Sequence, residues 1–583
     1  MRRLLPAVLL LVALLGAGLL VDVVTARPAS AHATVTTTSP ADGARLESAP
    51  GQVTIDFSED VTLGAGYARV IDADGERVDT GAAAVRDAVL TVPLRTDLPD
   101  AGYVVTWRVV SADSHPISGA FSFVVGDGEL PAAAPVDSGD TTDPGVAALL
   151  PLGRWLTYAG LALGLGIPLA LVTCWPGGWS DRRLRRAAVA GLLGIVVGGV
   201  LLLLVQGPYA AAAGLGSVFD GQLLGSTFGS GYGLTVLARI ALAGLLAAVL
   251  ARGWRTGRVP GTAVLAPAGV LAAGLVVTVA AVGHPVAGSM RVLAVAVAVL
   301  HVVAMTGWLG GLVVLFAGAL RVGTPTGELD AALVRWSRLA GTYIAALVVT
   351  GVLQSLREVG SFSALVSTSY GWVLLAKLAV VLLVLVAALV SRDWVQQRVG
   401  GGRRPGGRPS RRVVAQAFSA EAEAPADPVA GPGQVGVLRR SVLVELVGAV
   451  VVLALSAVLV SQFPATASVA TPVEVTLPLE STSGTAGNGT VQVSLDPVSP
   501  GPAALDVYLY DAAGELTQPR EITVGLIEAQ QEIGPLDVEL AAAGPGHYVG
   551  DPVLPAAGTW TLTVTVRLDE FTAVTASTVF PVR

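Results

Sequence analysis

A stretch near the start of the chain, ASAHATVTTTSP at residues 29–40, places a histidine directly after a run of small residues. Ala29, Ser30 and Ala31 form the small-x-small pattern that signal peptidase cleaves, and cleavage there makes His32 the first residue of the mature chain. A terminal histidine presents its α-amine and its imidazole Nδ1 to one metal ion in a six-membered ring. Such nitrogen-rich coordination suits Cu(II) best among the available divalent ions.

A second pattern with metal-binding chemistry lies in SADSHPISGAFSF, which contains Asp113 and His115. In extended backbone, the side chains of residues two apart leave the same face about 6 to 7 Å from each other. Together with His32 they would supply three nitrogens and one oxygen to one ion. The alternative is that His32 is incidental and that residues 113–116 form an ordinary polar turn.

The elements around these residues predict an exported β-domain. Residues 1–31 carry two arginines, an apolar stretch and the cleavage pattern, which together are typical of a secretory signal. The apolar stretch is also long enough for an uncleaved anchor, and both versions place residue 32 outside the cytoplasm. Between residues 32 and 126, short runs that alternate apolar and polar residues predict an antiparallel β-sandwich. Residues 127–146 form a linker rich in Pro, Gly and Asp.

The middle of the chain, residues 147–463, has the composition of a membrane domain. Segments of about 20 or more apolar residues predict eight transmembrane helices, at 147–175, 187–208, 231–251, 262–282, 291–320, 334–357, 371–391 and 439–462. Arginines are concentrated in the first, third, fifth and seventh connecting loops, so the positive-inside rule places these loops in the cytoplasm. This predicts a multi-pass plasma-membrane protein whose N-terminal and C-terminal domains are extracytoplasmic.

Two further segments complete the predicted organisation. Residues 392–440 are rich in Arg, Gly and Pro and predict a cytoplasmic loop, of which residues 400–437 are expected to be disordered. Residues 466–583 contain alternating runs such as ALDVYLYD and GTWTLTVTVRL, which predict a second outer β-sandwich. The predicted fold class is therefore a multi-domain membrane protein in which an eight-helix bundle joins two β-sandwiches.

Composition narrows the chemistry that the chain can perform. The 583 residues are 53% hydrophobic and include one cysteine, five histidines and three methionines, and the mean hydropathy is +0.68. A single cysteine excludes an intramolecular disulfide and a cysteine-based metal cluster. The sequence contains no Walker, HExxH or CxxC motif and no long basic run of the nucleic-acid type. We therefore expect a metal-binding membrane protein that is not an enzyme and does not bind nucleic acid.

The fifth predicted helix has a face with copper-binding side chains. At 100° per residue, Met290, His301, Met305 and Trp308 fall within about 60° of one another, and His284 stands just outside this helix. Thioethers and imidazoles suit Cu(I), so these residues predict a descending path for copper. The alternative is that the methionines are apolar filler, that His301 hydrogen-bonds a neighbouring helix and that His284 belongs to a turn.

Three charged residues lie within predicted spans, namely Arg239, Lys377 and Glu445. Charges at such depth need a partner or a water-filled cavity. They predict either an ion pair that holds helices together, or a role in gating or proton coupling.

The first domain resembles the CopC family of periplasmic copper-binding proteins. The resemblance rests on HATVTTTSPADGARLESAPGQVTIDFSEDV and on YVVTWRVVSADSHPISGAFSFVVG. In that family a mature amino-terminal histidine and a D-x-H motif bind Cu(II), which implies His32, Asp113 and His115 as the ligands here. Some members add a methionine-rich Cu(I) site, but the processed first domain contains no methionine.

The membrane domain resembles the CopD family, through LHVVAMTGWLGGLVVL, RWSRLAGTYIAALVVTGVLQS and RRSVLVELVGAVVVLALSAVLVS. The order of a CopC-like domain, a CopD-like bundle and an outer sandwich is similar to that of fused copper-import proteins of the YcnJ type. The segment AAGPGHYVGDPVLPAAGTWTLTVTVR is similar to a YtkA-like domain.

These resemblances imply capture of extracytoplasmic Cu(II) and passage of copper into the cell, with reduction to Cu(I) before the methionine and histidine face can act. A second interpretation is sequestration outside, or delivery to a cuproenzyme, without transport. A third is an assembly scaffold whose helices anchor the outer domains. Copper and the lipid bilayer are the expected partners, together with a copper chaperone, a reductase or a cuproenzyme.

Overall fold

The computed structural model describes residues 33–582, with gaps at 34, 42–43, 73, 129–142, 287–289, 322, 360–361, 401–431, 463, 466–472, 482–485, 497, 499–500, 512–515, 530, 532, 557 and 568–572. The predicted signal segment, His32, most of the linker and most of the Arg-rich loop lie outside the described residues. The chain divides into two compact units, Met1–Thr466 and Ala467–Arg583.

The first domain is a β-sandwich of two four-stranded sheets, as its alternating pattern predicts. One sheet has the strand order β1-β3-β6-β5 and the other has the order β2-β8-β7-β4. Neighbouring strands are antiparallel except for β2 and β8, which pair in parallel. The strands are β1 Val35–Ser39, β2 Arg45–Leu46, β3 Gln52–Phe57, β4 Val61–Asp72, β5 Ala84–Arg86, β6 Val89–Pro93, β7 Ala101–Ser111 and β8 Pro116–Val125.

Alternate residues of the long strands form the core between these two sheets. In β3 the side chains of Val53, Ile55 and Phe57 are buried while their neighbours are not, which is the period of two expected for a strand with one buried face. Trp107 of β7 packs edge-on against Phe57, with ring centroids 5.1 Å apart, and so joins the two sheets. The β7–β8 hairpin, which turns after Ser111, places the D-x-H motif at one end of the sandwich.

The described residues contain eight helices that are long and apolar enough to cross a membrane, which confirms the predicted number. In chain order they are α1 Pro144–Thr173, α2 Arg182–Ala211, α3 Gly231–Trp254, α4 Thr262–Ala280, α5 Arg291–Ala319, α6 Thr326–Val359, α7 Ser369–Leu389 and α8 Gly436–Leu459. The bounds differ most in two places: α6 begins at Thr326 rather than at residue 334 and ends at Val359, and the helices that contain α7 and α8 extend into the predicted loop 392–440, to Gly400 and from Pro432. Shorter helices, Gly221–Gly229 and Phe362–Ser367, lie in the loops before α3 and α7.

Close backbone approach holds the first helices together. A Cβ atom on Gly160 of α1 would lie 2.7 Å from the carbonyl oxygen of Gly191 in α2, and one on Gly310 of α5 would lie 2.2 Å from the backbone of Gly166 in α1. Lipid tails are as apolar as leucine side chains, so van der Waals packing between small residues replaces the hydrophobic effect as the main force between such helices.

The loops of the bundle fall into two groups at opposite ends. At one end Arg321, after α5, lies 3.9 Å from Asp181, before α2, and Arg185 lies over the ring of Trp254 at the end of α3. The first, third and fifth connecting loops therefore share this end. The first sandwich packs at the other end, where residues of β4 and β7 meet the loops that follow α2 and α4.

The second unit is an all-β domain. Nine strands form one sheet, in the order β14-β13-β18-β19-β9-β10-β12-β16-β15, and β11 pairs with β17 in a second, two-stranded sheet. Alternate Val and Leu residues and the fully buried Trp560 form its core. The strands are β9 Val473–Ser481, β10 Ala486–Asp496, β11 Gly501–Pro502, β12 Ala504–Tyr510, β13 Glu521–Glu528, β14 Ile533–Val538, β15 Leu540–Gly544, β16 His547–Gly550, β17 Val553–Leu554, β18 Gly558–Arg567 and β19 Ala573–Val582.

Candidate metal centre

Asp113 and His115 occupy the tight turn between β7 and β8. Because these strands pair as far as Val110 and Pro116, the residues between them must reverse the chain. Ser114 has a φ of +75°, which is uncommon for a residue with a side chain. Asp113 Oδ1 accepts the backbone N–H of His115 at 3.1 Å. The motif is therefore folded rather than extended, and Asp113 Oδ1 lies 3.2 Å from His115 Nδ1 instead of the expected 6 to 7 Å between side chains.

Hydrogen bonds and burial fix this turn. The hydroxyl of Ser111 contacts Asp113 Oδ1 and lies 2.9 Å from the carbonyl oxygen of His115. The side chains of Asp113 and His115 are both buried, with 1% exposure each. Burial lowers the pKa of the His115 imidazole even though the Asp113 carboxylate acts in the opposite direction. The imidazole is therefore neutral near pH 7, which is the state that binds a metal ion.

The membrane bundle covers the turn. Gln206 of α2 donates from Nε2 to the carbonyl oxygen of Ser114 at 3.3 Å, and Arg108 of β7 donates from Nε to the carbonyl oxygen of Ala210 at 2.7 Å. The ring of Tyr209 lies 6.4 Å from that of His115. The D-x-H motif is thus held at an interface between the first domain and the end of α2.

A histidine of the membrane domain meets the motif at this interface. His284, in the loop between α4 and α5, stacks on His115 with ring centroids 5.4 Å apart and planes inclined by 27°. Ligand atoms of Asp113, His115 and His284 all lie within 4.8 Å of one another, and the three side chains are buried. Two imidazole nitrogens and a carboxylate oxygen at this spacing form a donor set suited to Cu(II) or Zn(II).

Two residues at the ends of the neighbouring helices support His284. Its Nδ1 lies 3.2 Å from Oε2 of Glu358, near the end of α6, and its ring centroid lies 6.4 Å from that of Tyr370 in α7.

The sequence prediction missed Glu358 because the sixth span was expected to end at residue 357. The spacing of Thr350, Gln354 and Glu358, four residues apart in an otherwise apolar segment, is the signal that could have found it.

These three residues form a polar stripe on α6, since residues four apart share one helix face. At its deeper end Thr350 Oγ1 lies 2.8 Å from Nδ1 of His301 in α5. The side-chain nitrogen of Gln354 is buried and has no hydrogen-bond partner within the described residues. The helical rise places Thr350 about 12 Å from Glu358 along α6. The stripe therefore lies between the two histidines, His284 and His301.

A cavity of about 280 Å³ lies beside the turn, between the first sandwich and the loops that follow α2 and α4. Ser111, Ser114, Gln206, Tyr232 and Arg291 are among the residues that line it. This volume equals that of several water molecules, so it gives room for a hydrated ion next to Asp113.

The structure also locates the remaining predicted copper residues. Met290 precedes the first turn of α5 and is 52% exposed. Met305 is half-buried and packs against an apolar cluster that includes Leu309 and Trp336. His301 is half-buried and contacts Thr350, as described above. His32 lies outside the described residues.

The three predicted membrane charges have separate environments. Arg239 donates from Nε to Thr278 Oγ1 at 3.3 Å, and Glu445 accepts a hydrogen bond from Ser391 Oγ at 2.6 Å. Lys377 is half-buried within α7. In the part of the chain that the structure describes, no ion pair joins any two of the three.

Two family models match parts of the chain. The model of the CopC domain matches residues 35–126, and that of copper resistance protein D matches residues 330–459. Both predicted family resemblances are thereby confirmed, and both families consist of copper-binding or copper-transport proteins. The likeness of the last domain to a YtkA-like domain stays a prediction.

Individual relatives agree with these matches. The chain is 30% identical to the copper transport protein CutJ of Bacillus subtilis over 387 residues, which are 64% of this chain and 70% of that protein. It is 30% identical to copper resistance protein C of Pseudomonas syringae pv. tomato over 122 residues, 20% of this chain and 93% of that protein. A crystal structure of CopC from Methylosinus trichosporium OB3b is 25% identical and covers 17% of this chain and 98% of its own, with a TM-score of 0.16.

The matched domains occur in the order that the sequence predicts, with a buried D-x-H motif in the first and apolar helices long enough to span a membrane in the second. The chain is a multi-pass membrane protein and belongs to the CopC–CopD family of copper resistance and copper transport proteins, which includes CutJ.

Proposed function

We propose that this protein captures Cu(II) on the outer side of the plasma membrane and imports copper through its helical bundle. The proposed capture ligands are His32, Asp113 and His115, and the proposed path into the membrane follows His284, Met290, His301 and Met305. One observation carries the proposal. The D-x-H motif is buried against the end of the bundle, within 4.8 Å of a histidine that belongs to the bundle's own loop.

The position of the motif favours import over sequestration. A site that stores copper, or hands it to a soluble protein, has no need to contact the membrane helices. Here the turn that carries Asp113 and His115 is tied to α2 through Gln206 and Arg108. An ion that leaves the motif on this side therefore enters the membrane domain.

The polar stripe on α6 supports a route deeper into the bundle. Buried polar groups are costly in a membrane and are usually functional. Thr350 and Gln354 bridge the distance between His284 and His301 on one helix face. The thioethers of Met290 and Met305 suit Cu(I), so we place a one-electron reductant outside this chain between capture of Cu(II) and passage of Cu(I).

The orientation follows from charge and from the secretory signal. The first, third and fifth connecting loops, which are rich in arginine, lie at one end of the bundle, and the first domain packs at the other. The positive-inside rule assigns the arginine-rich end to the cytoplasm. The first domain, and by the even number of spans the last domain, are then extracytoplasmic.

Elemental analysis of copper-limited cells tests this function. Cells that express the full protein are expected to accumulate more copper than cells with an empty vector, and the His115→Ala variant at matched expression is expected to remove the gain. Wild-type protein that binds Cu(II) outside but leaves the cytoplasmic copper content unchanged would favour sequestration or delivery to a cuproenzyme instead.

A further inference from the structure

We propose that His284 is a ligand of the same copper ion as Asp113 and His115, so that one Cu(II) site is shared between the first domain and the membrane bundle. The inference rests on the proposed capture function. It adds to that function a ligand from the membrane domain and a positioning residue, Glu358.

The distances fit a single ion. Metal–imidazole bonds are about 2 Å long, so two donors on one ion are about 3 Å apart when adjacent and about 4 Å apart when opposite. The 3.2 Å between Asp113 Oδ1 and His115 Nδ1 matches adjacent ligands. The ligand atoms of all three residues lie within 4.8 Å of one another. A shift of less than about 1 Å would therefore bring the His284 nitrogen to the separation expected for two ligands of one ion.

The contact with Glu358 prepares His284 for this role. Glu358 Oε2 lies 3.2 Å from His284 Nδ1, so a ring proton on Nδ1 would face this carboxylate and leave the lone pair of Nε2 for a metal ion. Metal-binding histidines almost always have such a partner on their second nitrogen, which fixes the tautomer and the ring orientation. Glu358 is therefore a positioning residue, held at the end of α6.

Charge balance also favours a cation between these groups. Asp113 and Glu358 bring two buried carboxylates to the interface. A buried carboxylate is stable only with a compensating charge or hydrogen bonds. A divalent copper ion supplies that charge at the centre of the cluster.

The shared site has a mechanistic consequence. When the bonds from copper to Asp113 and His115 break, the bond to His284 keeps the ion on the bundle. Transfer between the two domains is then an exchange of ligands on one ion, with no release into the surrounding water.

Cu(II) binding by the purified full-length protein tests the shared site directly. The affinity is measured by competition with a chelator, and the nitrogen ligands are counted from the Cu(II) electron paramagnetic resonance spectrum. We expect His284→Gln to lower the affinity at least about tenfold and to remove one nitrogen, and Glu358→Gln to lower the affinity about tenfold. His547→Ala, in the second unit, is the control. Wild-type affinity and an unchanged spectrum in His284→Gln would overturn the proposal.

The choice of glutamine separates a ligand from a docking contact. The amide of His284→Gln can still donate to Glu358 but is a poor copper ligand, so a docking role alone would leave the affinity unchanged. If this variant fails to fold, the affinity and spectrum of Glu358→Gln test the shared site in its place.

Cellular copper content is a separate readout. Lost accumulation with unchanged affinity would reject the shared site and leave import standing, and lowered affinity in a protein that never accumulates copper would reject import and leave the shared site.

Discussion

His115 of the first domain and His284 of the membrane domain have ring centroids 5.4 Å apart and ring planes inclined by 27°. They come from segments that are far apart in sequence, and each ring has a carboxylate next to its Nδ1, Asp113 in one case and Glu358 in the other. This pairing connects the D-x-H motif of the CopC-like domain with a loop of the membrane domain. It is the basis of the copper route that we propose.

Asp113 is the oxygen donor of the proposed site, so its charge should matter for copper affinity. We expect Asp113→Asn to weaken Cu(II) binding by the full protein at least about tenfold, because the amide lacks the negative charge of the carboxylate. Competition with a chelator measures the effect. Asp79→Asn is the matched control, since Asp79 pairs with Arg77 in the same domain. Equal affinities in the two variants would argue against a carboxylate ligand.

The mature amino terminus should begin at His32. Mass spectrometry of the purified protein is expected to show cleavage after Ala31. One extra residue before His32 should then lower Cu(II) affinity, because it converts the chelating α-amine into an amide. A mature chain that starts elsewhere, or an extended chain with full affinity, would remove the two-nitrogen chelate from the account.

The hydrogen bond from Arg108 to Ala210 should stabilise docking of the first domain on the bundle. Arg108 is 6% exposed, and Arg108→Ala leaves a carbonyl oxygen at the interface without its donor. We expect a loss of about 1–3 kcal/mol in unfolding free energy, seen as a lower melting temperature in detergent. Arg69→Ala, which removes an exposed arginine stacked on Tyr67, is expected to have little effect. Similar losses in both variants would contradict a docking role.

Gln354 should affect the movement of copper and not its capture. Gln354→Leu removes the middle polar group of the α6 stripe while the cluster of Asp113, His115 and His284 stays intact. We expect reduced copper accumulation with unchanged Cu(II) affinity. Ser355→Ala serves as the control, because Ser355 donates to the Gly351 carbonyl within its own helix. Normal accumulation in Gln354→Leu would place the route elsewhere.

The predicted orientation can be read from cysteine labelling in intact cells. The single native cysteine, Cys174, is buried, so introduced cysteines give the signal. In intact cells, a membrane-impermeant reagent should label Ser217→Cys in the loop after α2. It should label Ser410→Cys, in the Arg-rich loop, only after the cells are permeabilised. The reverse pattern would invert the topology and place the first domain in the cytoplasm.

Hydrophobicity and alternation were sufficient to predict the architecture. Runs of apolar residues located all eight spans, and the period of two located both β-domains. The predicted end of α6, residue 357, is two residues too early, because Arg357 and Glu358 are charged. Glu358 is tolerated at the end of this helix because His284 lies 3.2 Å away, and such a tertiary partner is not visible in local composition.

The candidate site could be predicted in part. The D-x-H motif identified Asp113 and His115, but the geometry assumed for extended backbone was wrong, because the hairpin turn folds the two side chains toward each other. His284 was expected on a copper path, yet its contact with His115 depends on how the sandwich docks on the bundle. The stripe of Thr350, Gln354 and Glu358 was available from spacing and was overlooked.

Copper accumulation in copper-limited cells is the most direct test of capture followed by import. The comparison uses the full protein, His115→Ala, His301→Ala and the control His547→Ala at matched expression. We predict that accumulation rises with the full protein and with the control, and that it is lost in both other variants. Accumulation that depends on His115 but is indifferent to His301 would contradict passage through the bundle along α5 and α6.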